Sequence, residues 1–228
     1  MKGPALAVMA RAPVPGRTKT RLLPGLNPEQ CATLSLAFLR DTISLATEIP
    51  LCTPFLAYTP GKARELFREI IPREMQLLPQ TSGGLGERMH QLIAALKTRG
   101  YSPIVLIGSD IPTLQPATLV RATSKLEHAD VCLGPSRDGG YYLVGMNQPD
   151  QRIFQNIEWS TSSVLDRTVN KAKVAGLSVA MLEEYSDIDT MNDLQNLNND
   201  VVRLQGNPGA RVPAHTERWL RQNQNLFR

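Results

Sequence analysis

Short apolar runs alternate with longer stretches of mixed character along this chain. Leu6 to Ala10, Phe55 to Tyr58, Gln76 to Leu78, Ile104 to Ile107, Asp130 to Gly134, Tyr141 to Met146 and Leu177 to Leu182 each read as a strand. The run Ile104-Val-Leu-Ile107 is apolar at every position, which suits a strand buried on both faces of a parallel sheet. Between the runs, helical spacing predicts helices from Asn27 to about Glu48, from Lys62 to Ile70, from the Gly83–Gly86 glycines to Gly100, and from Pro116 to near His128. Two more open after Glu158–Ser163 and at Thr190. Asn27-Pro28-Glu29-Gln30 combines a cap, proline at the first helical position and a capping box, and Thr190 with Asp193 repeats the box. Strands alternating with helices predict an α/β fold on a mainly parallel sheet. The hairpin Asp130–Met146 makes that sheet mixed. From about Gly206 the composition turns to Asn, Gln, Pro and Arg. The expected organisation is therefore one domain over 1–205 and a peripheral tail over 206–228, helical around Thr216–Gln222.

Composition narrows the class. A length of 228 residues suits one large α/β domain, and 42% hydrophobic with 20% charged residues is ordinary for a globular protein. No apolar run approaches the about 18 residues that span a membrane. The apolar start is stopped by Arg11 without a cleavage-like site, so it reads as a first strand and the protein as cytoplasmic. Cys31, Cys52 and Cys132 are far apart and odd in number, which argues against zinc and against a disulfide framework.

The charge pattern says more than the net +4. Lys2, Arg11, Arg17, Lys19 and Arg21 all precede the first acidic residue, Glu29. Such a cluster invites an anionic partner. Aromatic residues are only 5%, with no recognisable binding module, so nucleic acid is disfavoured against a phosphorylated small molecule. The loop Arg11-Ala-Pro-Val-Pro-Gly-Arg-Thr-Lys-Thr-Arg21 follows the first strand, where doubly wound folds meet a nucleotide. Lys19 and Arg21 could grip phosphate oxygens, and Gly16 would let backbone amides approach. A solvated basic loop is the competing reading; the loop matches neither the Walker A nor the G-x-G-x-x-G pattern.

Four further places could carry chemistry. Gly108-Ser109-Asp110 ends the central strand, and a carboxylate there lies where open α/β sheets bind ligands, with Mg²⁺ or Mn²⁺ as its natural partner. A turn aspartate before Pro112 is the alternative. The Gly83–Gly86 glycines at a helix start could receive an anion or a base edge. Asp138-Gly139-Gly140 reads as a hairpin turn that also leaves room for a ligand. Asp187 and Asp189 end the last strand, with helix-dipole complementarity as the plain account of Asp189. Core packing is the commoner use of a lone tryptophan and the plain account of Trp159.

Taken together, ARAPVPGRTKTRL, GGLGERM, VLIGSDIPTL, LGPSRDGGYYLVGM, EWSTSSVL and DIDTMNDL resemble a bacterial nucleotide-diphospho-sugar transferase-like, or glycosyltransferase-like, family. Some of its members carry the label arsenosugar-biosynthesis glycosyltransferase. The resemblance runs from about Leu6 to about Leu197. It implies a Rossmann-like GT-A fold. It makes Arg11, Gly16, Arg17, Lys19 and Arg21 contacts of the nucleotide phosphates, and turns Gly83, Gly84, Gly86, Glu87 and Arg88 towards the base. Asp110, beside Ser109, becomes a metal ligand, and Asp189 the second by similarity to sugar nucleotidylyltransferases. Asp138, Gly139, Gly140 and Trp159 would face the transferred or accepting group. Metal-dependent GT-A enzymes often carry Asp-x-Asp, whereas this chain has Gly108-Ser109-Asp110, and its KTRL and SRDGG segments are similar to phospholactate guanylyltransferases.

The expected activity is metal-dependent glycosyl transfer from a nucleotide-diphospho-sugar to a small-molecule acceptor, with Lys19, Arg21, Asp110 and Asp138 as catalytic residues. Asp138 and Glu158 both stand as the general base. Nucleotidylyl transfer from an NTP with pyrophosphate release is the alternative, and a non-catalytic nucleotide-binding protein the second.

Overall fold

A computed structural model describes residues 2–227. Seven strands form one sheet: β1 (Ala5–Arg11), β2 (Thr53–Thr59), β3 (Gln76–Pro79), β4 (Ile104–Ile107), β5 (Val131–Pro135), β6 (Tyr141–Met146) and β7 (Val179–Met181). Seven α-helices surround it: α1 (Pro28–Glu48), α2 (Arg64–Ile70), α3 (Leu85–Thr98), α4 (Pro116–Lys125), α5 (Val164–Val174), α6 (Met191–Gln205) and α7 (Ala214–Gln222). The strand order is β3-β2-β1-β4-β6-β5-β7. Every pairing is parallel except those of β6, which runs antiparallel to both β4 and β5. The fold is thus the mixed, mainly parallel α/β sheet that the alternation of elements predicts, and it agrees with the Rossmann-like GT-A fold that the resemblance implies.

Burial follows the period of the strands. Leu6 and Val8 pack on one face with Leu39 and Ile43 of α1, Phe67 of α2 and Leu119 of α4. Ala5 and Ala7 pack on the other with Met89 and Ile93 of α3 and Ala172 of α5. Both faces of β1 and β4 are therefore covered, which accounts for their unbroken apolar runs. The chain leaves β1 towards β2 on one side and returns through α3 to β4 on the other. The order of the sheet reverses between β1 and β4, and the carboxyl ends of these strands form the crevice where such sheets take ligands.

Both predicted capping boxes close. Asn27 Oδ1 accepts from the Gln30 amide at 2.8 Å while Gln30 Oε1 accepts from the Asn27 amide at 2.9 Å. Asp193 Oδ2 accepts from the Thr190 amide at 2.7 Å, and Thr190 Oγ1 accepts from the Asp193 amide at 3.2 Å.

The stretch expected to be a peripheral tail packs against the domain. Leu34 and Phe38 of α1, Leu194 and Leu197 of α6, and Trp219 and Leu220 of α7 form a third cluster on the far side of α1. Helix α1 is thereby sandwiched, which explains why its apolar positions follow a single stripe only roughly. Asp41 of α1, a buried carboxylate, accepts from the His215 amide at 3.0 Å and the Thr216 amide at 2.7 Å. It thus supplies the cap that α7 lacks locally, since Pro213 offers no side-chain oxygen. Arg211 reinforces the dock, donating to the Asp41 carbonyl at 2.8 Å and to Glu48 at 2.9 Å. Among the described residues no helix is long and apolar enough to cross a membrane.

Candidate active site

The loop after β1 is shaped by its own residues. Arg17 N donates to the Val14 carbonyl at 3.0 Å, closing a turn over Pro15 and Gly16, and Gly16 has φ 72°. Proline then glycine with positive φ is the sequence signature of a type II turn. A Cβ on Gly16 would meet no protein atom, so the backbone angle by itself accounts for a glycine here. Three residues later Lys19 is also left-handed, at φ 49°. A single 3-10 turn, Thr20–Leu22, follows and buries Leu22 beside α1.

That backbone sends Lys19 inward. Its Nζ lies 2.6 Å from Asp110 Oδ1 and 3.2 Å from Asp189 Oδ1, and donates to the Ile188 carbonyl at 2.7 Å. The side chain is only 5% exposed. Burial by itself would lower its pKa, but Asp110 and Asp189 together raise it, so the ammonium is fixed in the charged form. All of its N–H groups are used. Arg21 approaches Asp189 from outside, 3.3 Å from Oδ2, and stays exposed.

The structure brings Asp110 and Asp189 together as the topology predicts, through the Ile188 amide donating to the Asp110 carbonyl at 3.2 Å. A basic side chain already lies between them. The cation between them is Lys19, delivered from far away in sequence by a left-handed turn that no local pattern announces. Asp187 sits beside them with its Oδ1 buried and unpartnered. Burial, then Asp110, Asp138 and Asp189, push its carboxyl up to about 7 against the opposing pull of Lys19. Among the described residues no three Asp, Glu, His or Cys side chains close into a metal cage. The donor chemistry nonetheless fits a hard divalent ion: carboxylate oxygens at a strand end, one of them orphaned, with space for water and phosphate.

Two cavities meet at Asp110. The outer one, about 930 Å³, is lined by Arg11, Arg17, Lys19, Arg21, Lys62 and Arg88, together with Ser109, Asp110 and Asp189. Lys62 was not foreseen; it lies in the loop after β2, and only the β2–β1 pairing brings it to the site. Arg88 Nη1 donates to Gln80 Oε1 at 2.8 Å, and Gln80 in turn donates to the Ala57 carbonyl at 2.7 Å, so β2 and β3 hold the arginine in place. The inner cavity, about 310 Å³, is lined by Asp110, Ser136, Asp138, Gly140, Trp159 and Asp187 among largely apolar neighbours.

Several glycines read as ligand contacts serve packing instead. A Cβ on Gly86 would lie 2.6 Å from Trp159 Cζ2 and 2.8 Å from the Phe154 carbonyl, so this glycine lets Trp159 sit against the start of α3. Glu87 accepts from the Gly84 amide at 2.9 Å as a capping box, and a Cβ on Gly83 would strike that same carboxylate. Of this loop only Leu85 and Arg88 reach a cavity. Gly139, at φ 86°, is crowded by the Ser162 backbone, and its carbonyl accepts from the Leu165 amide at 2.9 Å. Trp159 lines the inner cavity and meets Tyr141 edge-on with ring centroids 6.2 Å apart. Asp138 also lines it, while Glu158 is exposed and reaches neither cavity.

Residues 42–161 match the family model DUF2064, described as an uncharacterized protein conserved in bacteria. No curated protein matches the chain. Among solved structures, a protein from Desulfovibrio desulfuricans G20, provisionally named a nucleotide-diphospho-sugar transferase, is 31% identical with a TM-score of 0.87, over 98% of this chain and 96% of that one. A cytidylyltransferase from Leptospira borgpetersenii serovar Hardjo-bovis shares the fold at 12% identity and TM-score 0.57, over 100% of this chain and 97% of that one. A CMP:2-keto-3-deoxy-manno-octonic acid synthetase complexed with CTP does so at 11% and 0.56, over 88% and 98%. With a family model spanning more than half its length and a 31%-identical relative covered almost end to end, the chain belongs to the DUF2064 family.

Proposed function

We propose that this protein is a transferase that takes a sugar from a nucleotide-diphospho-sugar and gives it to a small-molecule acceptor. The observation that carries the reading is the outer cavity, where Arg11, Arg17, Lys19, Arg21, Lys62 and Arg88 surround the Asp110–Asp189 pair at the sheet's switch point. That charge and that size suit a diphosphate with its nucleoside. The name of the Desulfovibrio relative supports the donor class. Arg17 and Lys62 make no ion pair among the described residues, and Arg21 keeps further N–H groups beyond its contact with Asp189, so all three can bind phosphate oxygens. Lys19 holds Asp110 and Asp189 at fixed positions, and reaches phosphate only by releasing one of its present acceptors.

Asp110 and Asp189 would hold Mg²⁺ or Mn²⁺, which when bound supplies neutralisation of the departing diphosphate. Asp187, with its unpartnered oxygen, stands ready beside them. On the inner side, Asp138 Oδ1 is occupied by the Ser136 hydroxyl at 2.8 Å and the Gly140 amide at 2.9 Å. Those bonds fix the carboxylate and leave Oδ2 to accept a proton. In an inverting transfer the acceptor oxygen bonds the anomeric carbon as the bond to the diphosphate breaks. The nucleoside diphosphate leaves with the electron pair, and Asp138 takes the hydroxyl proton. Of the two bases foreseen, only Asp138 lines the cavity.

Nucleotidylyl transfer is the second reading, favoured by Gly108-Ser109-Asp110 in place of Asp-x-Asp. Incubation with labelled nucleotide-sugar and NTP pools separates them. Free nucleoside diphosphate from a nucleotide-sugar supports the proposal. Pyrophosphate from an NTP supports the second reading, and binding without turnover of either pool refutes both.

A further inference from the structure

The two cavities that share Asp110 differ in charge in a way that bears on what each can hold. The outer one carries six cationic side chains, Arg11, Arg17, Lys19, Arg21, Lys62 and Arg88. The inner one, among the described residues, is lined by no lysine, arginine or histidine. Its ionisable walls are Asp110, Asp138 and Asp187, with the phenols of Tyr141 and Tyr142. Lys19 neutralises Asp110 from the outer side, so Asp138, with the partly charged Asp187, sets the sign of the field inside. Apart from the hydroxyls of Ser136, Ser160 and Thr161, of which Ser136 already donates to Asp138 and Thr161 to the Glu158 carbonyl, the rest of the lining is largely apolar or aromatic, including Leu143, Val164 and Trp159.

We propose that the group seated in this inner cavity has an apolar or aromatic-compatible body bearing a hydroxyl or amine and carries no phosphate, sulfate or carboxylate of its own. This deepens the transferase reading above and rests on it for the identity of the outer ligand. An anion placed there would lose its hydration against an apolar wall and meet carboxylates where it needs donors. A hydroxyl or an ammonium meets instead the acceptor oxygens of Asp138 and Asp187 and the ring of Trp159. A volume of about 310 Å³ admits one small moiety. Any phosphate of the reacting pair is therefore confined to the Asp110 partition and the outer cavity. A co-substrate of the phospholactate kind, with a carboxylate in its body, is excluded.

The test uses shape-matched probes of different charge: benzyl alcohol, benzylamine, benzoate and phenyl phosphate. Binding is read by saturation-transfer NMR on the full chain, on the Val164→Trp variant that fills the cavity, and on Asp138→Asn. Affinity that Val164→Trp abolishes is affinity for the inner cavity. The expected result is such affinity for the alcohol and the amine, at least about tenfold weaker for both anions. Asp138→Asn, which removes a charge and keeps the shape, should narrow the gap between amine and benzoate by several-fold, and it preserves the test if Val164→Trp fails to fold. Equal or tighter inner-cavity binding of either anion overturns the proposal, as does the absence of inner-cavity affinity for all four probes. A parallel titration with nucleoside diphosphates reports on the outer cavity alone. Its failure would sink the nucleotide reading and leave the charge preference of the inner cavity standing.

Discussion

Lys19→Met is the most informative single substitution in this chain. It keeps the length of the side chain and removes the ammonium that holds Asp110, Asp189 and the Ile188 carbonyl. Removing one partner of a buried ion pair costs about 3–5 kcal/mol when the other is left dry. Here the Asp110 and Asp189 side chains are 48% and 39% exposed, so water can replace the lost donor. Methionine also avoids the cost of burying a charge. The net loss is then about 1–3 kcal/mol, set by hydrogen bonds to charged groups. For a chain of this size that lowers Tm by about 2–12 °C. The second half of the prediction concerns metal. With the ammonium gone, Asp110 and Asp187 lose their cation and Asp189 keeps only the exposed Arg21, so Mn²⁺ or Mg²⁺ should recover more stability in the variant than in the parent. Urea unfolding with and without the ion, at fixed protein concentration, measures both. An unchanged midpoint, or equal metal responses in parent and variant, would refute the argument that Lys19 occupies the cation position of this site.

Removing residues 206–228 should cost roughly 3–6 kcal/mol from Trp219 and Leu220 alone, seen as a much lower urea midpoint or as aggregation. Asp41→Ala should destabilise by about 1–3 kcal/mol, because α7 loses both bonds to its cap, and far-UV and thermal melts would show it. Gly86→Ala should cost about 1–3 kcal/mol by pushing on Trp159 and the Phe154 backbone, with Trp159 fluorescence altered in the folded state. Arg21→Ala should leave stability within about 0.5 kcal/mol, since the pair with Asp189 is solvent-exposed, yet weaken nucleoside diphosphate binding about tenfold by calorimetry.

The parts of the fold that were legible rest on local signals. The Asn27–Gln30 and Thr190–Asp193 boxes each close within four residues, and the apolar run of β4 marks a strand covered on both faces. The position of Asp110 followed from the strand end and the switch-point rule. What stayed hidden depends on contacts between distant residues. Lys19 meets Asp189 across 170 positions, and nothing near either residue announces it. Asp41 caps a helix 175 positions away, so a search for a cap beside Pro213 finds none. Gly86 reads as a place for a ligand because it stands in a glycine-rich turn at a helix start, and Gly139 because it stands in a hairpin turn that leaves room against the backbone. The space beside them is filled by Trp159 and by the Ser162 backbone, which only the folded chain supplies.

Helix α1 lies inside the molecule, and its outer neighbours, α6 and α7, are synthesised long after it. Leu22 and Leu26, which anchor the loop carrying Lys19, share a cluster with Trp219 and Leu220. A nascent chain that has just released Gln205 from the ribosome already holds every charged group of the site. It does not yet hold the clamp that seats them. Since chains emerge at about 5–20 residues per second, the loop that carries Lys19 is made well before the helix that completes the cluster beneath it. A chain stopped before α7 would carry every charged group of the site and lack Trp219 and Leu220 from the cluster that anchors its loop.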